Sequence, residues 1–105
     1  MMQGHKTAEA RSLAYHRAIA ARLVAEPNLV TNAARRVEQW AVEGTVHPRW
    51  LNGWRRLLAL PLAQLATQMV DEGQESIDLR QATPFAGALA PRERWAIIRA
   101  LREAR

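Results

Sequence analysis

The positions of the five prolines limit the possible folds of this chain of 105 residues more than any other sequence feature. Four of them stand just before stretches whose apolar residues recur at a spacing of three and four: Pro27, Pro48, Pro61 and Pro91. Proline has no backbone N–H and disfavours helix in the residue before it, yet it fits the first turn of a helix. The prolines therefore divide the chain into several short helices, most of which begin close to a proline.

The apolar spacing predicts helices over residues 8–25, 27–43, 48–58, 61–70, 74–81 and from 91 onward. Thr7 is expected to cap the first helix, Gly44 to end the second in a left-handed conformation, and Gly53 to let another helix approach closely. No segment alternates with a period of two or carries a two-residue hairpin turn. The sequence therefore predicts an all-α fold, a compact orthogonal bundle of five or six short helices. We expect a flexible N-terminus over residues 1–7 and a single domain over residues 8–105.

Each predicted helix has one apolar stripe that we expect to face the core. The residues assigned to these stripes include Leu23, Val24, Trp40, Ala41, Trp50, Trp54, Leu65, Met69, Ile77, Trp95, Ile98 and Leu101. His16 lies near the centre of the first stripe. We interpret it as a core residue with a hydrogen-bond partner rather than as a catalytic or metal-binding group.

The composition is that of a globular protein, because 49% of the residues are apolar and 24% are charged. No apolar run approaches the roughly 18 residues that would cross a membrane, and the N-terminus lacks the apolar segment of a signal peptide. Without cysteine, the chain has no means of forming disulfides or thiolate metal sites. We therefore expect a cytoplasmic protein that is not associated with a membrane.

The residues that usually carry catalysis are few and poorly placed. None of the three histidines, His5, His16 and His47, has an acidic or histidine partner at metal-ligand spacing on the same helix. The chain also lacks a glycine-rich phosphate loop and a nucleophile elbow. Four clustered carboxylates are interpreted as a solvated acidic face: Asp71, Glu72, Glu75 and Asp78. The sequence thus predicts a protein that is not an enzyme and that has no cofactor or metal ion.

The net charge of +5 comes almost entirely from arginine, which suits contacts with phosphate or carboxylate. Binding to DNA or RNA is therefore the alternative function. Residues 61–81 are the best candidate for a helix-turn-helix, but Glu75 and Asp78 would bring negative charge to phosphate from the recognition helix. Any nucleic-acid contact is expected instead from arginines elsewhere, which run most densely through the last helix.

Four tryptophans are many for one small domain. All four lie on predicted inward stripes, so a place in the core is the first interpretation. Tryptophan and arginine are also the residues most enriched in binding hot spots. Trp50 and Trp54 lie one turn apart beside Arg49 and Arg55, and one of the two rings is a candidate for contact with a partner.

The segment over residues 79–95 is the least generic part of the chain. Phe85 and Leu89 can anchor an apolar loop, Gly87 can supply a backbone turn, and Pro91 restarts the helix. One interpretation is a plug in which Phe85 fills the core between two helices. The other is a presented loop whose flanking arginines bind a carboxylate or phosphate of a partner. We prefer the plug, with Arg80, Arg92 and Arg94 as the candidate site.

Most of the chain, from Arg11 to Arg102, resembles a group of largely uncharacterised small all-helical bacterial proteins. The resemblance is carried by RSLAYHRAIA at residues 11–20, VHPRW at 46–50, LRQATPFAG at 79–87 and PRERW at 91–95. Some members of that group have an XRE-type helix-turn-helix in front of this region, as in antitoxins and small regulators. Residues 1–10 are too short to hold such a domain.

The resemblance therefore implies a partner-binding module, such as the antitoxin-like half of a toxin–antitoxin pair, rather than direct DNA reading. From resemblance and residues together we expect a non-enzymatic module, antitoxin-like or regulatory, that binds a partner protein such as the product of a neighbouring gene. The predicted partner-binding residues are Arg80, Arg92, Arg94, Trp50 and Trp54. Nucleic acid and a second copy of the chain stay open as other partners.

Overall fold

The computed structural model describes the backbone of residues 3–104 and the side chains of residues 7–104. Six helices make up this part of the chain: α1 Gln3–Ala20, α2 Asn28–Glu43, α3 Pro48–Leu58, α4 Leu62–Gln68, α5 Gln74–Gln81 and α6 Pro91–Glu103. Helix α1 packs against α4, α5 and α6, while α3 packs against α2, α4 and α5. No strand occurs among the described residues. The predicted all-α fold of five or six short helices is confirmed.

The predicted helix boundaries hold best in the middle of the chain. Helix α2 ends at Gly44, which has a left-handed φ of 67° and donates its N–H to the carbonyl of Trp40. Helix α3 covers the predicted residues, and the His47 side chain accepts a hydrogen bond from the N–H of Arg49 at its start. A Cβ built on Gly53 would lie 2.7 Å from Cδ2 of Leu79. The close approach of another helix at Gly53 is thus confirmed.

The first helix differs from the prediction at both ends. It already includes Gln3, so Thr7 lies inside α1 and does not cap it, while residues 1 and 2 of the predicted flexible N-terminus lie outside the described part. The helix ends at Ala20, and residues 21–25 form a turn. Val24 is consequently 81% exposed instead of facing inward, although Leu23 is fully buried.

The core is centred on Trp54, which is fully buried and the largest side chain in it. Its indole N–H donates to the carbonyl of Leu79 across 2.9 Å, so that α3 is tied to α5. The ring of Phe85 meets it edge-on, with ring centroids 5.8 Å apart. Phe85 and Leu89 are both buried, and Gly87 has a φ of 85°. The loop after α5 is therefore the predicted plug.

His16 links α1 to this plug through a short relay of hydrogen bonds. Its Nδ1 lies 2.7 Å from the carbonyl of Ser12, which can only accept, so Nδ1 carries the proton. Nε2 therefore accepts from the hydroxyl of Thr83 across 2.8 Å, and that oxygen accepts from the N–H of Phe85. The pKa of His16 is lowered from 6.5 to about 4, chiefly by burial; the hydrogen bond to Ser12 raises it and the positive charge of Arg80 lowers it. The interpretation as a hydrogen-bonded core histidine is confirmed.

The last helix is rotated relative to the prediction. Trp95 was expected to face inward, but it is 57% exposed. The residue of α6 that packs against the core cluster is Ile97, and no residue of α6 is fully buried. Ala41 and Ile77 were also assigned to inward stripes, yet Ala41 is exposed and Ile77 is half-buried, because Leu79 takes the inward position on α5.

Candidate partner-binding surface

The five predicted site residues lie in different environments, and the structure does not bring them together on one surface. Trp54 is fully buried, so its ring is closed to a partner, contrary to the prediction for an exposed tryptophan. Trp50 is half-buried, with the guanidinium of Arg49 4.8 Å from its ring centroid. Of these two tryptophans, only Trp50 therefore remains a candidate for contact with a partner.

Arg80 was expected to flank an exposed loop, but only 5% of the residue is exposed. Its Nη1 donates to the backbone carbonyls of Met69 at 3.2 Å and Asp71 at 2.7 Å. The guanidinium thereby closes the end of α4 against α5, and burial lowers its pKa. The expected exposed position of Arg80 is wrong, because the carbonyls freed at the end of α4 need a donor inside the protein.

A groove of about 450 Å³ runs beside Arg80, between α1 and α5. Its lining includes Glu9 and Ser12 from α1 and Ile77 and Gln81 from α5. The carboxylates of Asp71, Glu72 and Glu9 lie near the positive charge of Arg80. The groove thus has no excess positive charge with which to attract an anion.

The four carboxylates over residues 71–78 also have partners within the protein. Glu72 lies 3.7 Å from the guanidinium of Arg17, and Glu75 lies 4.0 Å from that of Arg49. Asp71 accepts from the N–H of Gly73, and Asp78 accepts from the side chain of Gln74. Among the residues with described side chains, no group of three or more metal-binding side chains is arranged to hold an ion. The segment serves as a counter-charge for neighbouring arginines.

Two arginines in the first turn of α6 differ in exposure and in hydrogen bonding. Arg94 is half-buried, and its Nη1 donates to the carbonyl of Leu89 across 2.9 Å, so it fastens the plug to the helix. Arg92 is exposed. Nearby, Glu93 accepts from the N–H of Ala90 and forms an ion pair with Arg22, which fixes the helix start against the turn after α1. Of the predicted arginines, Arg92 alone presents its charge at the surface.

Helical spacing places Arg92 on the same side of α6 as Trp95. With about 100° of rotation per residue, Arg92 and Arg99 lie within about 20° of each other. Trp95 lies about 60° from Arg92 and about 40° from Arg99. Arg102 lies about 20° beyond Trp95, and the half-buried Ile98 borders the ring on that side. We name this surface the α6 outer face: Arg92, Trp95, Ile98, Arg99 and Arg102.

The three arginines of the α6 outer face are exposed. Within the described part of the chain, none of them forms a hydrogen bond or an ion pair. Arg92 and Arg102 lie ten positions apart along α6, or about 15 Å. A half-exposed tryptophan beside three guanidinium groups that have no hydrogen bond or ion pair in the described part is an arrangement that suits contact with another molecule.

The sequence reasoning missed Trp95 because it assigned Trp95, Ile98 and Leu101 to one inward stripe at steps of three. Each such step falls about 60° short of a full turn, so this stripe drifts around the helix. The spacing of Arg92, Trp95, Arg99 and Arg102 is three, four and three, which follows one face closely. That spacing was the available signal that the ring lies among the arginines.

Comparison of the chain with protein-family models, with curated proteins and with solved structures finds no match. Among residues 3–104, no helix is long and apolar enough to cross a membrane. The candidate surface therefore rests on the geometry of α6 alone.

Proposed function

We propose that this protein is a non-enzymatic interaction module of the cytoplasm that binds a partner protein through the α6 outer face. The antitoxin-like or regulatory role, and a partner encoded by a neighbouring gene, follow from the resemblance to small bacterial proteins. The surface itself is proposed from the structure. Of the five predicted residues it retains Arg92. It replaces Arg80, Arg94, Trp50 and Trp54 with Trp95, Ile98, Arg99 and Arg102.

The observation that carries the proposal is the 57% exposure of Trp95 in a chain with a fully buried tryptophan elsewhere. A tryptophan that is left half in water gives up part of the hydrophobic free energy of its large ring. A partner that covers the ring would recover that free energy. Ile98 extends the apolar area, and the arginines around it are of the type enriched in binding hot spots.

Nucleic-acid binding is the second candidate, and the same arginines favour it. Arg92, Arg99 and Arg102 have no partner among the described residues, and the whole chain carries a charge of +5. Unpaired arginines give affinity for phosphate at low salt. This candidate predicts binding that weakens steeply as the salt concentration rises.

Co-expression with the product of the adjacent gene tests the proposal. The wild-type chain is expected to co-purify with that product as a stoichiometric complex. Trp95→Ala is expected to reduce the affinity at least about tenfold, as for a ring at the centre of an interface. Isothermal titration calorimetry of the purified components measures this change.

Val42→Ala is the matched control, because Val42 is a large apolar side chain that is 88% exposed on α2. It is expected to leave the affinity unchanged. A complex that tolerates Trp95→Ala as well as it tolerates Val42→Ala would remove the α6 outer face from the proposal. Purification with bound nucleic acid and no protein would favour the second candidate.

A further inference from the structure

Within residues 7–104, the arginines that have no hydrogen bond or ion pair are concentrated on one helix, α6. Several arginines on other helices are paired, as Arg55 is with Glu38 at 2.7 Å and Arg17 is with Glu72. Arg11 and Arg56 are exposed and have no such partner in the described part, but the other described arginines of their helices are paired. On α6 three unpaired arginines share one face. This density of positive charge requires a negative counterpart in any tight complex, because burying an unpaired charge is costly.

We propose that the α6 outer face binds an acidic amphipathic segment of the partner protein. In this arrangement an apolar side chain of the partner covers Trp95 and Ile98, and its carboxylates meet the guanidinium groups of Arg92, Arg99 and Arg102. Arginine and carboxylate match in geometry and can form two parallel hydrogen bonds. The inference rests on the proposed function, and it adds the chemical class of the partner.

A second copy of the chain does not satisfy this surface. A symmetric dimer through the α6 outer face would place arginines of one copy against arginines of the other, which is repulsive. The acidic residues that a second copy offers over residues 71–78 are already in contact with Arg17, Arg49, Gln74 and the N–H of Gly73. A different chain is therefore the better source of the counter-charge.

Nucleic acid is also a poorer match than an acidic peptide. Surfaces that bind single strands stack successive bases on several aromatic rings. Trp95 is the only aromatic residue after Phe85, so a second stacking ring is missing from α6. An acidic segment with one apolar anchor needs only the single ring that α6 provides.

Peptide binding to the full chain tests the inference. The probe is a short fluorescein-labelled peptide with leucine on one helical face and glutamate beside it, and its control has glutamine at every glutamate. Fluorescence anisotropy is expected to give at least tenfold tighter binding of the acidic peptide. Its affinity should fall when the salt concentration rises from about 50 to about 300 mM, since salt screens exposed charges.

Charge reversal locates the contact. The double variant Arg99→Glu and Arg102→Glu is expected to weaken the acidic peptide at least tenfold. The double variant Arg11→Glu and Arg56→Glu is the matched control, because it changes the net charge by the same amount. Both arginines are exposed and have no partner in the described part of the chain. Equal effects of the two changes would overturn the inference, since they would indicate only a dependence on net charge.

Other outcomes also decide the question. Equal binding of the glutamine peptide, no binding of the acidic peptide at millimolar concentration, or displacement of the acidic peptide by a lower concentration of a short DNA strand would each overturn it. In the complex with the neighbouring gene product, sensitivity to Trp95→Ala without sensitivity to the arginine reversal would retain the proposed function and reject the acidic partner. Insensitivity to both changes would reject the surface itself.

Discussion

Helices α3 and α6 are built alike in sequence and differently in the structure. Each begins with a proline in its first turn, and each carries tryptophan among several arginines. In α3 the ring of Trp54 is fully buried, whereas in α6 the ring of Trp95 is 57% exposed. The same residue types therefore serve as core in one helix and as surface in the other.

The difference lies in how each helix is held. Helix α3 is fixed to α5 at two adjacent positions, where Gly53 admits the side chain of Leu79 and the Trp54 indole donates to the Leu79 carbonyl. Helix α6 is fixed mainly by polar contacts at its start, through Glu93 and Arg94, and by Ile97 against the core. A helix held at its start and along one narrow stripe has most of its surface available to a partner.

Removal of Trp54 is the largest change that this comparison predicts. Trp54→Ala should lower the free energy of unfolding by about 3–5 kcal/mol, because it empties a closed part of the core. That is a large fraction of the roughly 5–15 kcal/mol expected for a domain of this size. Urea unfolding followed by circular dichroism measures the loss.

Trp54→Phe separates the contribution of the ring to stability from that of its hydrogen bond. It keeps most of the apolar volume but leaves the buried carbonyl of Leu79 without its donor, at an expected cost of about 1–3 kcal/mol. Values below 1 kcal/mol for both variants would contradict the assignment of Trp54 to the core. The contrast between α3 and α6 would then disappear.

The next largest predicted effect is a loss of stability in acid, through His16 in the buried cluster around Trp54. The ring of His16 stacks near Trp54, with centroids 6.4 Å apart, and the pKa of His16 is lowered from 6.5 to about 4. Between these two values the unfolded chain binds a proton that the folded chain does not, so stability falls as the pH falls. The expected loss relative to pH 8 is about 2 kcal/mol at pH 5 and about 3 kcal/mol at pH 4.

Urea titrations at several pH values measure how the free energy of unfolding changes with pH, and His16→Gln supplies the control. Glutamine does not titrate, so the slope between pH 6.5 and 5 should become much shallower even if the variant is less stable overall. An unchanged slope would assign the acid sensitivity to other groups. It would also remove His16 from the buried cluster around Trp54.

The sequence was informative where the interior decides the outcome. Proline and glycine positions predicted α2, α3 and the left-handed stop at Gly44, because backbone chemistry at these residues is local. The core role of His16 followed from its place on an apolar stripe. Its partner Thr83 lies 67 residues away, and periodicity contains no information on such a pairing.

The sequence was least informative where two helix faces are nearly equivalent. On α6, Ile97, Ile98 and Trp95 give several possible apolar stripes, and the packing of α6 on α1 selects the one that includes Ile97. Arg80 was misplaced for a related reason, since the backbone carbonyls that it satisfies belong to the end of α4 and become visible only after folding. Tertiary contacts, absent from local spacing, decided both positions.

Removal of Trp95 should have the smallest effect on stability and is the direct counterpart of Trp54→Ala. We expect Trp95→Ala to change the free energy of unfolding by at most about 1 kcal/mol, because the lost contacts are partial and alanine favours the helix by a few tenths of a kcal/mol. Acrylamide should quench Trp95 strongly in the folded wild type, and the quenched fraction should fall in Trp95→Phe. A loss near that of Trp54→Ala would mean that the ring of Trp95 lies inside the protein. The α6 outer face would then have no apolar centre, and its arginines would have only charge to offer a partner.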